Sequence, residues 1–277
     1  MNNQYFNQED LYNLFKNYII FLTKATTIKF YNYNLKNIPS STGRADVIIR
    51  YIRSVFNQKI DRLHCLNEEK FGFLILFNEN FINEIWNFWN NNSSCNINFG
   101  ILITNISKLS KKYDKLENLS EFFLVKNFYN SIEKLNFLDE RDKINEYISK
   151  KGFFIVKVDN YIINYIIFFN EESKFYDLIK ETCNIIIIKE DANINLNKII
   201  IQKNLCNYKY NTTENFSLNQ LKKNNKKGLC FILGDHIGFD EIMEKNLKNC
   251  IEFNIGDKNY LGSQVISFIK FVLYNLK

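Results

Sequence analysis

The sequence predicts an α/β fold in which a largely parallel sheet is flanked by helices. Two observations carry that reading. Short runs rich in β-branched and aromatic residues alternate along the chain with stretches of helical apolar spacing. And 46% hydrophobic residues in a chain of 277 suffice for a sizeable core.

The runs place strands at 18–23, 71–77, 99–103, 153–158, 185–188, 229–233 and 250–255. Helical spacing places helices at 43–58, 80–89, 140–150, 162–169, 175–182, 240–248 and 260–276. Polar or Lys-rich connections fall at 90–95 (NNNSSC), 108–118 and 221–228 (LKKNNKKG). The high content of Asn, Ile, Lys and Phe matches an AT-rich codon bias, so no single Asn, Lys or Ile is a signal.

Composition excludes several classes. The longest apolar run, 161–169, is too short and too interrupted to span a bilayer, and the polar start MNNQYFNQED lacks the order of a secretion signal. A soluble, cytoplasmic protein is expected. The six cysteines contain no CxxC pair, so free thiols are expected and no metal. The net charge of +6 suits a polyanionic partner, although many basic proteins bind no nucleic acid.

Three segments carry possible chemistry. The first, 36–56 (KNIPSSTGRADVIIRYIRSVF), holds the single proline, Pro39, then Gly43, then a helix. Asp46, Arg50 and Arg53 share one side of it and Ala45, Ile48, Ile49, Ile52, Val55 and Phe56 the other, with Arg44 at the start. By periodicity alone this is an ordinary amphipathic helix with a surface ion pair. The second, 229–239 (LCFILGDHIGF), runs a buried strand into Gly234, Asp235, His236, Ile237 and Gly238. Two glycines four apart at a strand's C-terminal edge let backbone approach a ligand, or simply relieve a tight turn. His236, one of two histidines, reads as structural rather than as a proton-transfer group. The third, 251–271, ends a strand at Ile255-Gly256 and opens a long apolar helix, facing the core or a second subunit.

Taken in order, these segments resemble one family, the archaeal tRNA pseudouridine(54)-N1-methyltransferases of the SPOUT, or trefoil-knot, superfamily. The resemblance rests on the core Pro39, Ser40, Ser41, Thr42, Gly43, Arg44, Ala45, Asp46, on the intact Gly-Asp-His-Ile-Gly loop at 234–238, and on the strand, loop and helix that close the chain. A weaker match is Asp139-Glu140-Arg141. It covers most of 17–277, leaving 1–16 as an N-terminal extension and about 79–118 as an insertion. Departures are Gln264-Val265 in place of His-Cys and Gly256-Asp257 in place of a Ser/Gly-Pro pair.

The resemblance implies a SPOUT-like domain with a C-terminal deep trefoil knot, a homodimer, and S-adenosyl-L-methionine held among the knot loops. By position the cofactor contacts would be Ile188, Gly234, Asn254, Ile255, Gly256, Asp257, Lys258, Asn259 and Val265. The implied substrate is N1 of a pseudouridine in tRNA. That nitrogen carries a proton and is a poor nucleophile until the proton leaves or the charge is stabilised. Asp46 would accept the proton or hold the base in register, Arg44 would stabilise the anion, and Arg50 and Arg53 would hold phosphates. The methyl transfer would be an in-line displacement without metal. A ribosomal-RNA pseudouridine N1-methyltransferase and a non-catalytic knotted RNA-binding dimer are the alternatives.

Overall fold

The computed structural model describes residues 4–6, 8–30, 37–57, 70–90, 97–105, 120–135, 137, 140–158, 160, 162–196, 227–256 and 260–275. In chain order the elements are β1 (Gln4–Phe6), α1 (Gln8–Lys16), β2 (Ile19–Ala25), α2 (Ile38–Ser41), α3 (Ala45–Val55), β3 (Phe71–Phe77), α4 (Glu79–Asn90), β4 (Asn98–Ile103), α5 (Glu121–Glu133), α6 (Arg141–Lys151), β5 (Phe153–Lys157), β6 (Tyr165–Phe169), α7 (Glu172–Thr182), β7 (Cys183–Ile188), β8 (Ile194–Asn195), β9 (Gly228–Leu233), α8 (Glu241–Leu247), β10 (Ile251–Asn254) and α9 (Gly262–Asn275).

The strands form one sheet in the order β1-β5-β6-β4-β3-β2-β9-β7-β10-β8. From β3 through β2, β9, β7 and β10 to β8 every pairing is parallel. From β3 outwards through β4, β6 and β5 to β1 every pairing is antiparallel. The sheet is therefore mixed, with the expected parallel character confined to one half.

Strand β2 shows why the sheet needs cover on both faces. Ile19, Phe21 and Ala25 join one apolar cluster, Ile20 and Leu22 the other, and all are buried. Helices α3, α4, α5, α6 and α9 supply the first cluster. Helices α1, α7 and α8 supply the second, through residues such as Phe15, Tyr176 and Met243.

One expectation changes. The run 162–169 is not a helix: Tyr165–Phe169 is β6, paired antiparallel with β5 and β4. A short apolar run has no periodicity to separate the two states, and the β-branched, aromatic content prevails. The described part of 1–16 is built into the fold, since β1 extends the sheet at β5 and Phe15 of α1 is fully buried. The described part of 79–118 is equally integral: β4 lies between β3 and β6, and Phe81, Trp86 and Phe99 are core residues. The Lys-rich run 108–118 and most of 221–228 lie outside the described residues, as do 91–96 and Asp139.

The last strand occupies an unusual place. β10 lies between β7 and β8, parallel to both, although those two precede it and are separated only by residues 189–193. The bridge is fastened to β10 by a bond from Lys189 N to Phe253 O at 2.9 Å. The Asn254 carboxamide also donates to Ala192 O. The 189–193 connection thus crosses from one side of β10 to the other, around a strand that comes later in the sequence.

Candidate functional site

The turn before α3 is built from small polar residues for a steric reason. The buried Thr42 hydroxyl donates to Ile38 O at 2.5 Å and accepts from Ala45 N at 3.1 Å, so it joins the end of α2 to the first residue of α3. Gly43 has φ +61°, and a Cβ there would lie 1.7 Å from Thr27 O. Only glycine fits. Arg44 follows with φ +68°, the one left-handed non-glycine residue among those described.

Asp46, in the first turn of α3, is 1% exposed. One of its oxygens accepts from Arg44 Nε at 3.1 Å and the other from Arg50 Nη2 at 3.0 Å. Arg50 also binds Glu121 of α5, through Nε at 2.9 Å. Asp46, Arg44 and Arg50 are therefore brought together, with the carboxylate underneath and the Arg44 guanidinium 39% exposed above it. Arg53 lies one turn further along α3.

A cavity of about 390 Å³ opens at the C-terminal ends of the neighbouring parallel strands β9, β7 and β10. Its walls come from residues 188–191 after β7, 233–239 after β9, Ile255 and Gly256 after β10, and the start of α9. Of the residues expected to contact a cofactor, Ile188, Gly234, Ile255, Gly256 and Val265 line it. Asn254 does not, because its side chain turns to the 189–193 bridge. Asp257, Lys258 and Asn259 lie outside the described residues.

The cavity lining includes apolar side chains, Ile188, Leu233, Ile255 and Val265, and acidic ones, Glu190, Asp191 and Glu244. Lys189 is partly neutralised by Glu244 at 3.4 Å and Glu252 at 3.3 Å. Asp235 is a latch rather than a free charge. Its Oδ2 accepts from Thr26 N at 2.9 Å and from the Thr26 hydroxyl at 2.5 Å, and its Oδ1 accepts from Ile237 N at 2.8 Å.

Two links join the Arg44 turn to the cavity. Tyr51 of α3 donates its hydroxyl to Gly234 O at 2.9 Å and packs so closely on Gly262 that a Cβ there would lie 2.0 Å from the phenol oxygen. Burial, helped by the Asp235 carboxylate, holds the Tyr51 phenol far above its ordinary range, so it stays a neutral donor. Thr27, just past β2, donates to Gly43 O at 2.8 Å and meets His236 Nε2 at 3.3 Å.

Sequence reasoning missed Tyr51, Thr26 and Thr27. The two threonines directly follow a buried strand, at the edge where open α/β sheets place ligands, and that position was the available signal. Tyr51 gave a fainter one, as a polar-tipped ring between Arg50 and Ile52 in an apolar helix.

No protein-family model matches the sequence, and a comparison with curated proteins finds no match. Among solved structures the chain is similar to Archaeoglobus fulgidus Nep1 bound to S-adenosylhomocysteine. The TM-score is 0.46 at 9% identity, over 93% of this chain and 98% of that one. No group of three or more potential metal ligands occurs among the described residues, and none of their helices is long and apolar enough to cross a membrane.

Proposed function

We propose that the chain is an S-adenosyl-L-methionine-dependent RNA methyltransferase acting on N1 of a pseudouridine, with position 54 of tRNA as its target and the cytoplasm as its place of work. One observation carries the reading. The Gly-Asp-His-Ile-Gly loop, the loop after β10 and the Gly-Arg-x-Asp turn are far apart in sequence, yet the first two wall one cavity and the third is bonded to it through Thr27 and Tyr51.

The cavity suits the cofactor. Its volume lies in the usual range for small-molecule sites. Ile188, Leu233, Ile255 and Val265 would take an adenine ring, and the carboxylates of Glu190, Asp191 and Glu244 favour the cationic portion. When bound there, the sulfonium would supply an electrophilic methyl group.

The chain's own residues then orient the nucleophile. Arg44, exposed above Asp46, stabilises the negative charge that the pseudouridine ring gains as its N1 proton leaves, and attack on the methyl group then discharges it. Asp46 has both oxygens taken and faces away from solvent, so its part is to hold Arg44 and Arg50 in place. The N1 proton passes to water. Arg53, with Arg50 where it can exchange its partners, takes backbone phosphates. A second copy of the chain would cover the apolar side chains of Ile237 and Leu261, which are 66% and 61% exposed.

The test is methyl transfer from labelled S-adenosyl-L-methionine to tRNA and ribosomal RNA, followed by nucleoside mass spectrometry. One methyl on a tRNA pseudouridine is expected. Label on ribosomal RNA alone would move the substrate, and no calorimetric binding of S-adenosylhomocysteine would end the enzyme reading.

A further inference from the structure

We propose that His236 is a positioning residue. From the cavity rim it fixes, through the Thr27 hydroxyl, the left-handed Gly43–Arg44 turn that presents the Arg44 guanidinium. The catalytic consequence rests on the methyl-transfer reading; the strap itself rests on geometry alone.

The direction of the hydrogen bonds makes the argument. A carbonyl only accepts, so Thr27 Oγ1 spends its one hydrogen on Gly43 O, at 2.8 Å. The Thr27 oxygen is then the acceptor for His236 Nε2 at 3.3 Å, and the imidazole must carry its hydrogen on Nε2. On the other side of the ring, Nδ1 faces Asp235 Oδ2 at 3.8 Å. Asp235 is itself fastened by Thr26 and by Ile237 N. The ring thus stands beside a fixed carboxylate, too far away for a hydrogen bond, and delivers its Nε2 hydrogen to the Thr27 oxygen.

The turn needs such support. Gly43 presses against Thr27 with no room for a Cβ, and Arg44 is held at φ +68°. Conformations of this kind persist only where the surroundings over-determine them. From below, Arg44 N donates to Pro39 O at 3.1 Å. From the cavity side the Thr27–His236 strap supplies the fastening. His236 lines the cavity, so a molecule bound there and the Arg44 turn share one residue.

The experiment compares the ligand-free wild-type protein with Thr27→Val, His236→Ala and His236→Gln by hydrogen exchange over peptides spanning 40–46. Thr27→Val and His236→Ala are expected to raise exchange there roughly tenfold, the scale of one lost hydrogen bond, while His236→Gln, whose amide can still donate, stays within about threefold. S-Adenosylhomocysteine should protect 40–46 in the wild type and in His236→Gln. In Thr27→Val it should protect only 234–240, with its affinity within about twofold and the single-turnover rate down about tenfold. Unchanged exchange at 40–46 in both Thr27→Val and His236→Ala overturns the strap, whatever the protein catalyses. Equal protection of 40–46 by S-adenosylhomocysteine in all four forms overturns the coupling. A protein that shows the exchange pattern without methylating RNA would keep the strap and lose only the functional reading.

Discussion

The Tyr51 hydroxyl donates to the Gly234 carbonyl at 2.9 Å and ties α3 to the loop after β9 across 183 positions of sequence. Its ring is also the surface against which Gly262 opens α9. Tyr51→Phe removes one buried hydrogen bond without altering shape. It should cost about 1 kcal/mol of stability and weaken S-adenosylhomocysteine binding several-fold. Gly262→Ala should do more damage, because its new methyl group would overlap the phenol. Calorimetry and thermal unfolding of the two variants give the ranking, and Tyr51→Phe proving the worse would contradict it.

Arg44 and Asp46 should separate when substituted. Arg44→Ala removes a partly exposed guanidinium and should leave folding nearly intact, while the single-turnover rate falls about 100-fold or more at unchanged cofactor affinity. Asp46→Asn leaves two guanidiniums short of their shared carboxylate. Because both arginines are over a third exposed, the destabilisation should be modest, about 1–2 kcal/mol. If Asp46→Asn instead abolished the rate with stability unchanged, Asp46 would be the proton acceptor and not a support.

Lys24, 6% exposed at the end of β2, lies between Glu172 Oε2 at 2.7 Å and Asp240 Oδ2 at 2.5 Å. Asp240 also caps α8 by accepting from Met243 N at 2.8 Å, so this lysine holds the exit of the cavity loop. Lys24→Met would leave two carboxylates facing each other with no cation. A loss of about 2–4 kcal/mol is expected, below the figure for a fully buried pair because both acids touch solvent. Denaturant unfolding checks it; a loss under about 0.5 kcal/mol would show the cluster to be a surface ornament.

Burial pushes the Cys183 thiol up to about 12 and the Cys230 thiol well above its usual value. An unfolded thiol titrates near 9, so the unfolded chain releases these protons first. The stability they contribute is complete below that pH and is lost as pH rises towards the folded values. The slope should be about 1.4 kcal/mol per pH unit for each such group. Replacing Cys183 by Ala should flatten the alkaline limb by about one proton, as read from unfolding free energies between pH 9 and 11. Alkylation of the native protein should reach the half-buried Cys250 before Cys183 or Cys230.

The sequence exposed the parallel half of the sheet readily, because 71–77, 185–188 and 229–233 are apolar runs that only a doubly covered strand tolerates. Strand β6 was hidden, since Tyr165–Phe169 is five apolar residues with no period to read. The edge strand β1 was hidden by its length of three residues. At the site, Gly43, Arg44, Asp46 and Gly234 stood out through the motifs that carry the resemblance, while spacing alone left an ordinary amphipathic helix and a tight turn. The burial of Asp46 did not, since a helical wheel puts an acid and two arginines on one stripe whether that stripe meets water or α5. The strap through Thr27 joins positions 27, 43 and 236, and no local pattern encodes such a meeting.

The placement of β10 between two earlier strands also dictates an order of events during synthesis. β7 and β8 leave the ribosome long before the final strand exists. β10 must then insert between them, beside residues 189–193, before the cavity has its third wall. Refolding should accordingly show a slow final step to which deletions in α9 contribute, and ligand affinity should return with that step rather than with the bulk of secondary structure.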